Sequence, residues 1–575
     1  MADNPERVTY FAATDARGKH TPFGIKAKDR ERHMYVIGKT GMGKSTLLEN
    51  MAIQDIRNGE GLAFIDPHGS AVDKLLDYIP EERMKDVIYF APFDLDRPIA
   101  FNVMEDVGYD KRHLVTSGLM ATFKKIWQDA WSARMEYILT NTLLALLEYP
   151  GATLLGVNRM YTDKVYRKKV VENIKDPLVK DFWVKEFATY TDRYTQEATP
   201  AIQNKIGQFT SNPLIRNIIG QPTSSFDIRK VMDERKILLI NLSKGLVGDV
   251  NMRLLGSMLT TRIFLAAMSR AELSAGVLKK TPKFYFYVDE FQNFANETFS
   301  EILSEARKYN LNLIIAHQYV EQMEEEVRAA VFGNVGTTVC FRVGPFDAEI
   351  LETIFFPEFT KEDLVNLGFA QVYLTLMIDG IGSRPFSAVT LPPIEPPPVS
   401  YRTQVVERSR TTYGNPRTGI EAAIFAELAE TAGPNPPEPP RRTYVPRREV
   451  AAEKSSDSSR LQSGQTFASR PPVSEQKLSG KTIFSRVPSA SLKQPPPAAQ
   501  KSAEELRSIL RTMTASAVKE KENKESAKEQ SLKGALAEVL KKNPSPLPQL
   551  KPSQEEKKPF EVPEEKLRQI LKGDE

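Results

Sequence analysis

The run Gly38-Lys39-Thr40-Gly41-Met42-Gly43-Lys44-Ser45-Thr46 has the spacing G-x-x-x-x-G-K-[ST] of a phosphate-binding loop. Glycines let consecutive N–H groups curl around phosphate oxygens, and a following helix adds the partial positive charge of its N-terminus. Lys44 is the residue expected to reach the β- and γ-phosphates of ATP, and the Ser45 hydroxyl to ligate Mg2+. Such a loop needs acids opposite it. The segment Lys283-Phe284-Tyr285-Phe286-Tyr287-Val288-Asp289-Glu290 is an apolar run closing on two carboxylates. An acid at the C-terminal end of a strand faces the crevice where doubly wound sheets hold ligands. Asp289 is expected to hold Mg2+ and Glu290 to polarise the attacking water. A further apolar run, Leu311–Ala316, ends in His317-Gln318. The Gln318 amide can donate to a phosphate oxygen and accept from water, whereas a merely polar strand end is the simpler reading. His317 reads as structural. Arg307 and Lys308 fall in the last turn of a helical pattern over Phe299–Tyr309, where the helix dipole alone favours cations. The sharper reading makes Arg307 a finger that reaches a neighbouring subunit's γ-phosphate.

These side chains need a scaffold. Short runs rich in apolar and β-branched residues occur at Tyr35–Ile37, Leu62–Asp66, Val87–Phe90, Ile237–Leu242, Phe284–Asp289, Leu311–Ala316, Thr337–Val343 and Gln371–Ile378. Helical patterns separate most of them, which predicts an α/β fold with a mainly parallel sheet. From Val107 to Asp233 the rhythm changes. No strand pattern stands out there, only helix-period segments such as Trp131–Glu148 and Val165–Phe187. An all-α subdomain inserted between core strands accounts for this without orphaning the first three strands.

Composition sets the outer limits. The chain has 575 residues and a single cysteine, Cys340, so no intramolecular disulfide can form and a cytoplasmic setting fits. Five histidines never cluster with Cys or acids at ligand spacing, which argues against a structural metal. No apolar run has the length of a membrane span, and the N-terminus lacks the apolar segment of a signal peptide. Residues 391–575 hold 24 of the 39 prolines and 31 Lys+Arg against 24 Asp+Glu, leaving 47 against 50 for the rest. The part expected to fold is therefore not broadly basic, and any nucleic-acid contact in it must be local. The proline-, serine- and lysine-rich remainder reads as a disordered tail, with one short helix around Gly419–Glu430. Within the tail, Leu506-x-x-Ile509-Leu510, Leu536-x-x-Val539-Leu540 and Leu567-x-x-Ile570-Leu571 repeat one L-x-x-[IV]-L stripe. Three such stripes on flexible chain predict multivalent docking onto an unknown partner.

The order of these features resembles the HerA–FtsK superfamily of P-loop motors. It runs from Gly38–Thr46 through Asp66-Pro67-His68-Gly69, a helical insertion and Asp289-Glu290 to Arg307, Gln318 and Asn334. Within that superfamily it is most similar to the type IV secretion coupling proteins, the TraG/TraD-like ATPases of conjugative DNA transfer, over roughly residues 20–390. The resemblance implies a RecA-like P-loop ATPase domain with an inserted all-α subdomain, a homo-hexameric ring around DNA, and ATP with Mg2+ as cofactors. It also implies that Gln318 senses nucleotide and that Arg307 acts across the subunit junction, with Arg342 as the competing finger. Expected boundaries are 1–30 for an N-terminal lead-in, 31–106 for the first part of the ATPase core, and 107–233 for the insertion. The second part of the core then spans 234–394 and the tail 395–575, without which the core should stand. Coupling proteins usually begin with transmembrane helices, whereas about 37 residues precede the P-loop here. Attachment at the inner face of the cell membrane is then expected through a partner protein. The expected activity is ATP-driven DNA translocation. Alternatives are an ATPase powering protein secretion or pilus assembly, and a nucleotide-gated adaptor that recruits partners through its tail.

Overall fold

The sequence Met34-Tyr35-Val36-Ile37 offers no polar face, so it can lie only in a sheet covered on both sides. In the computed structural model, which describes residues 4–15, 18–191 and 199–431, it does. Thirteen strands occur among the described residues: β1 Val8–Thr14, β2 Pro22–Lys26, β3 Met34–Ile37, β4 Gly61–Asp66, β5 Val87–Phe90, β6 Ile237–Asn241, β7 Phe284–Val288, β8 Leu311–His317, β9 Thr337–Cys340, β10 Gln371–Thr375, β11 Met377–Ile378, β12 Ile381–Gly382 and β13 Phe386–Thr390. Eleven form one sheet in the order β2-β1-β13-β10-β9-β3-β8-β7-β4-β6-β5, while β11 and β12 pair separately. From β9 through β5 all neighbours are parallel, and β10, β13, β1 and β2 extend that block antiparallel.

Alternation along each central strand feeds two cores. Met34 and Val36 pack with the helix Lys44–Arg57 on one face, as do Tyr285 and Tyr287. Tyr35, Ile37, Phe284, Phe286 and Val288 pack on the other, against the helices Asp249–Met268 and Glu297–Glu305. A buried ion pair ties the first face together. Arg30 donates to both oxygens of Asp55 at 2.7 and 2.8 Å and to the Tyr287 hydroxyl at 2.8 Å, with its guanidinium 3.6 Å from the Tyr285 ring centre. This fixes the helix that follows the P-loop to the strand that carries the acids.

Between β5 and β6 the described residues are helical, including Arg112–Ile126, Ala133–Leu147, Lys164–Asn173 and Pro200–Thr210. They share a core with the sheet: Val115, Leu119 and Phe123 belong to the same apolar cluster as Met258, Leu259 and Phe294.

Two expected boundaries differ from the structure. Residues 8–26 are not a lead-in but two strands of the sheet, because β1 finds its partner in β13, with Ala12 opposite Thr390. Past 395 the chain continues as helices Arg402–Tyr413 and Arg417–Thr431. The first lies on the edge strand, where the Tyr89 N–H donates to Ser409 Oγ at 2.9 Å and Arg410 pairs with Asp94 at 2.6 Å. The second lies on the insertion, through Ile420 and Ile424, Glu421 to Asn217, and Glu427 to Arg159. The three L-x-x-[IV]-L stripes lie outside the described residues.

His33, buried at the start of β3, accepts the Leu313 N–H on Nδ1 at 3.1 Å and so joins β3 to β8. Burial, with the charge of Arg307 adding to it, holds its ring down to about 4 from the usual 6.5. Between those values the unfolded chain binds more protons than the folded one, so this contribution is complete above 6.5 and drains away as pH falls toward 4. From pH 7 to pH 5 the loss is about 2 kcal/mol. His33→Asn keeps an acceptor without a titrating ring, and should shrink the difference between urea-unfolding free energies at the two pH values by that amount. Equal pH dependence in both proteins would remove His33 from the account.

Candidate active site

The P-loop leaves β3 at Ile37 and enters the helix Lys44–Arg57 through Gly43, whose φ of 117° would strain any other residue and where a Cβ would crowd the Phe341 ring. No side chain caps that helix, so the N–H groups of its first turn face an anion site. On one side the loop rests on β9, where the Lys39 N–H donates to the Arg342 carbonyl at 2.8 Å. On the other it rests on β8, with Gly38 donating to the His317 carbonyl at 3.3 Å.

Strand order decides what meets the loop. β8 lies between β3 and the acid strand β7, so its tip at Gln318 stands between the P-loop and Asp289-Glu290. Gln318 joins the two. Its Oε1 accepts from the Thr40 hydroxyl at 2.9 Å, and its Nε2 donates to Glu290 Oε1. The Ser45 hydroxyl donates to Asp289 Oδ2 at 3.0 Å, and the buried Lys44 ammonium donates to the Gly38 carbonyl at 2.6 Å.

Glu290 is buried and sits in the left-handed backbone region at φ 47°. For a residue with a side chain that conformation is strained by roughly 1–2 kcal/mol, and such strain gathers at functional positions. Its other carboxylate oxygen accepts from Gln292 Nε2 at 2.6 Å. Nothing in a phosphate-loop motif marks Gln292. The signal was the spacing Phe291-Gln-Asn-Phe294, two buried rings enclosing a tight turn that leaves the glutamine beside the acid.

Charge at the site is out of balance. Burial above all, then Asp66 and Glu290, push the Asp289 carboxyl up to about 6. Lys44 is held below its usual range by burial, against the pull of Glu290 and Asp289. Among the described residues no group of three or more His, Cys, Asp or Glu forms a metal cage. Mg2+ suits such a site, since it is held by one or two side chains with phosphates supplying the rest. Asp66 itself is taken up locally: its carboxylate accepts from the N–H groups of His68, Ala71 and Val72 at 2.7, 2.8 and 3.3 Å. The neighbouring Gly69, at φ 88°, has no space for a Cβ beside Asn241. Asp66-Pro67-His68-Gly69 therefore builds a helix start.

The two arginines part company. Arg342 follows β9 beside its own P-loop. Arg307, exposed, precedes the other end of β8, about 20 Å from the strand's Gln318 end. Within one subunit Arg307 is therefore remote from the site. Asn334, at the end of the helix Glu325–Asn334, donates to the Ala330 carbonyl in its own helix at 2.9 Å.

A profile of the type IV secretion-system coupling protein DNA-binding domain matches residues 19–352. The chain belongs to this family. The coupling-protein match spans the P-loop, the insertion, Asp289-Glu290 and Gln318, and ends inside the helix Pro345–Phe355. Comparison with curated proteins returned no match. Among solved structures, the chain is similar to the bacterial conjugative coupling protein TrwBdeltaN70 in its unbound monoclinic form, with 15% identity, 68% of this chain and 90% of that one covered, and a TM-score of 0.48. For the plasmid coupling protein TrwB in complex with ADP and Mg2+ the values are 13%, 69%, 97% and 0.48. For VirB4 of Thermoanaerobacter pseudethanolicus they are 15%, 70%, 99% and 0.41. No helix among the described residues of this coupling-protein family member is long and apolar enough to cross a membrane.

Proposed function

We propose that this chain hydrolyses ATP to move DNA, working as a homo-hexameric ring with a nucleotide site at each junction between subunits. The observation that carries the reading is Glu290: a buried, backbone-strained carboxylate held next to a P-loop by the amide that also touches Thr40. A strand-closing polar cluster has no need of that strain.

ATP with Mg2+, when bound, supplies the phosphoryl group to be transferred and the cation that neutralises its charge. The chain's own groups do the rest. The N–H groups of Gly38 through Thr46 receive the phosphates, and Lys44 exchanges the Gly38 carbonyl for phosphate oxygens. Ser45 and Asp289, already in contact, would hold Mg2+. Glu290 takes the proton of the attacking water, and Gln318 orients that water against the phosphate. Arg307, too distant to serve its own site, acts on the neighbouring subunit's. The family's description as a DNA-binding domain supports DNA as the cargo. The near-neutral charge outside the tail supports local contacts, such as cations lining a channel. Lys244 beyond β6, exposed although paired with Asp249 at 2.7 Å, is one such cation. The ring would sit in the cytoplasm and reach the membrane through a partner protein, with the L-x-x-[IV]-L stripes recruiting others.

ATP turnover by the full chain, with and without double- and single-stranded DNA, tests this. DNA should raise turnover severalfold, and its binding should weaken with salt because the contacts are to phosphates. An oligomeric preparation that turns over ATP yet ignores DNA at low salt would favour a protein cargo.

A further inference from the structure

Glu290 is gripped from a second side, and that grip leads into the helical insertion. Gln292 lies in the tight turn Phe291–Asn293 just after the acids, and its Nε2 donates to Glu290 Oε2 at 2.6 Å. The amide can stand only this way round, since its oxygen would repel the carboxylate. Its Oε1 is buried with no hydrogen-bond partner among the described residues, so the side chain's one hydrogen bond there is to Glu290. The backbone of Gln292 is held from elsewhere. Its carbonyl accepts from Lys125 Nζ at 3.0 Å, and Lys125 belongs to the last turn of the inserted helix Arg112–Ile126.

Lys125 is half-buried, and that is its one hydrogen bond among the described residues. Desolvation lowers its amine to about 8, against the attraction of Glu324 and with Arg253 pushing the same way. A partly dehydrated ammonium with a single acceptor makes a strong charge-assisted bond. The helix that carries it is not free to drift, because Val115, Leu119 and Phe123 share a core with Met258 and Leu259.

We propose that Gln292 is a positioning residue for Glu290 and that Lys125, from the insertion, fixes Gln292 through its carbonyl. The insertion is thereby joined to the hydrolytic acid by two hydrogen bonds in series. This rests on the reading of Glu290 as the group that polarises water. A physical chain of contacts becomes coupling only when a perturbation at one end is felt at the other.

The test uses the full chain with Lys125→Met, Lys125→Arg, Gln292→Ala and the Lys125→Met/Gln292→Ala double variant. Lys125→Met should lower kcat about tenfold while the KM for ATP and the Kd of a fluorescent ADP stay within about twofold, because the phosphate cradle is untouched. Lys125→Arg should recover most of kcat. Gln292→Ala should lose about as much as Lys125→Met. The double variant should lose no more than the worse single one, since Lys125 acts only through Gln292. A second readout needs no nucleotide. The amides of Asn293, Phe294 and Ala295 bond back to the Glu290 and Phe291 carbonyls, and they should exchange hydrogen faster in Lys125→Met but not in Lys125→Arg. Multiplying losses in the double variant, a raised KM with intact kcat, or unchanged exchange in Lys125→Met would each overturn the proposal. A parent chain without turnover would instead fail the reading of Glu290, and exchange would still decide whether Lys125 holds the turn.

Discussion

Glu290→Gln is expected to bind nucleotide within about twofold of the parent and to turn it over about 10²–10⁴-fold more slowly, the range set by removing a general base. The substitution is isosteric. It keeps an acceptor for Gln318 or Gln292 and removes only the charge that draws a proton from water. Lys44→Ala should behave differently. Its ammonium is the cation built into the loop, placed among backbone carbonyls that it leaves for phosphate, and without it binding itself should fall. Measuring Kd with a fluorescent nucleotide beside kcat separates the two, and an equal loss of affinity in both would sink the assignment of Glu290. Mixed rings extend the test. Arg307→Ala subunits keep Glu290, and Glu290→Gln subunits keep Arg307, so co-assembly should restore turnover at junctions where intact residues meet. Inactive mixtures with proven co-assembly would shift the role to Arg342.

Ending the chain at residue 398 should ruin it, whereas ending it at 431 should leave stability and basal turnover unchanged. The shorter chain loses both C-terminal helices. The Tyr89 N–H loses its acceptor, and the edge strand β5 is laid open to pairing with other chains. It also removes buried Val405, Ile420 and Ile424 and uncovers the apolar surfaces on which they pack. Apolar burial of that extent is worth on the order of 5 kcal/mol, comparable with the whole stability of an ordinary domain. Urea midpoints and size-exclusion profiles of the two truncations decide the matter. Matching cooperative transitions would show that the helices merely rest on the surface.

Of the two helices, the one around Gly419–Glu430 was expected from the sequence, and only Arg402–Tyr413 was not. The stretch Arg402–Tyr413 is polar almost throughout and buries only Val405 and Ser409, so its composition is that of a tail. The proline-rich stretch before it is pinned by hydrogen bonds, with Ile394 alone of the residues between Pro392 and Pro398 packed on the core. Asn50 Nδ2 donates to the Pro392 carbonyl at 2.9 Å, Asn50 Oδ1 accepts the Ile394 N–H at 3.0 Å, and the Tyr78 hydroxyl donates to the Ile394 carbonyl at 2.6 Å. Such clamps leave no periodicity to find. β1 pairs locally with β2, but its place in the main sheet rests on β13, more than 370 residues away, and no local pattern announces so distant a pairing. The parallel strands β3 to β9 were legible because burial on both faces forces continuous apolar runs. P-loop and acid pair were legible because each chemical role demands a fixed residue type. Gln292 was not, since a residue that holds another can take many forms.

One strand, β8, carries Gln318 at one end and is preceded at the other by Arg307. It is hydrogen-bonded to β3 on one side and β7 on the other, so it cannot stretch or slip without breaking both ladders. A rod of that kind transmits a push along its length. On the proposed reading, whatever the amide registers when its own phosphate leaves would be delivered some 20 Å away, where the guanidinium would face the next subunit's nucleotide. In a closed ring such a linkage acts as an escapement. Each site would be released only after the one behind it has fired, and the sense of rotation would follow from which end of β8 each neighbour meets.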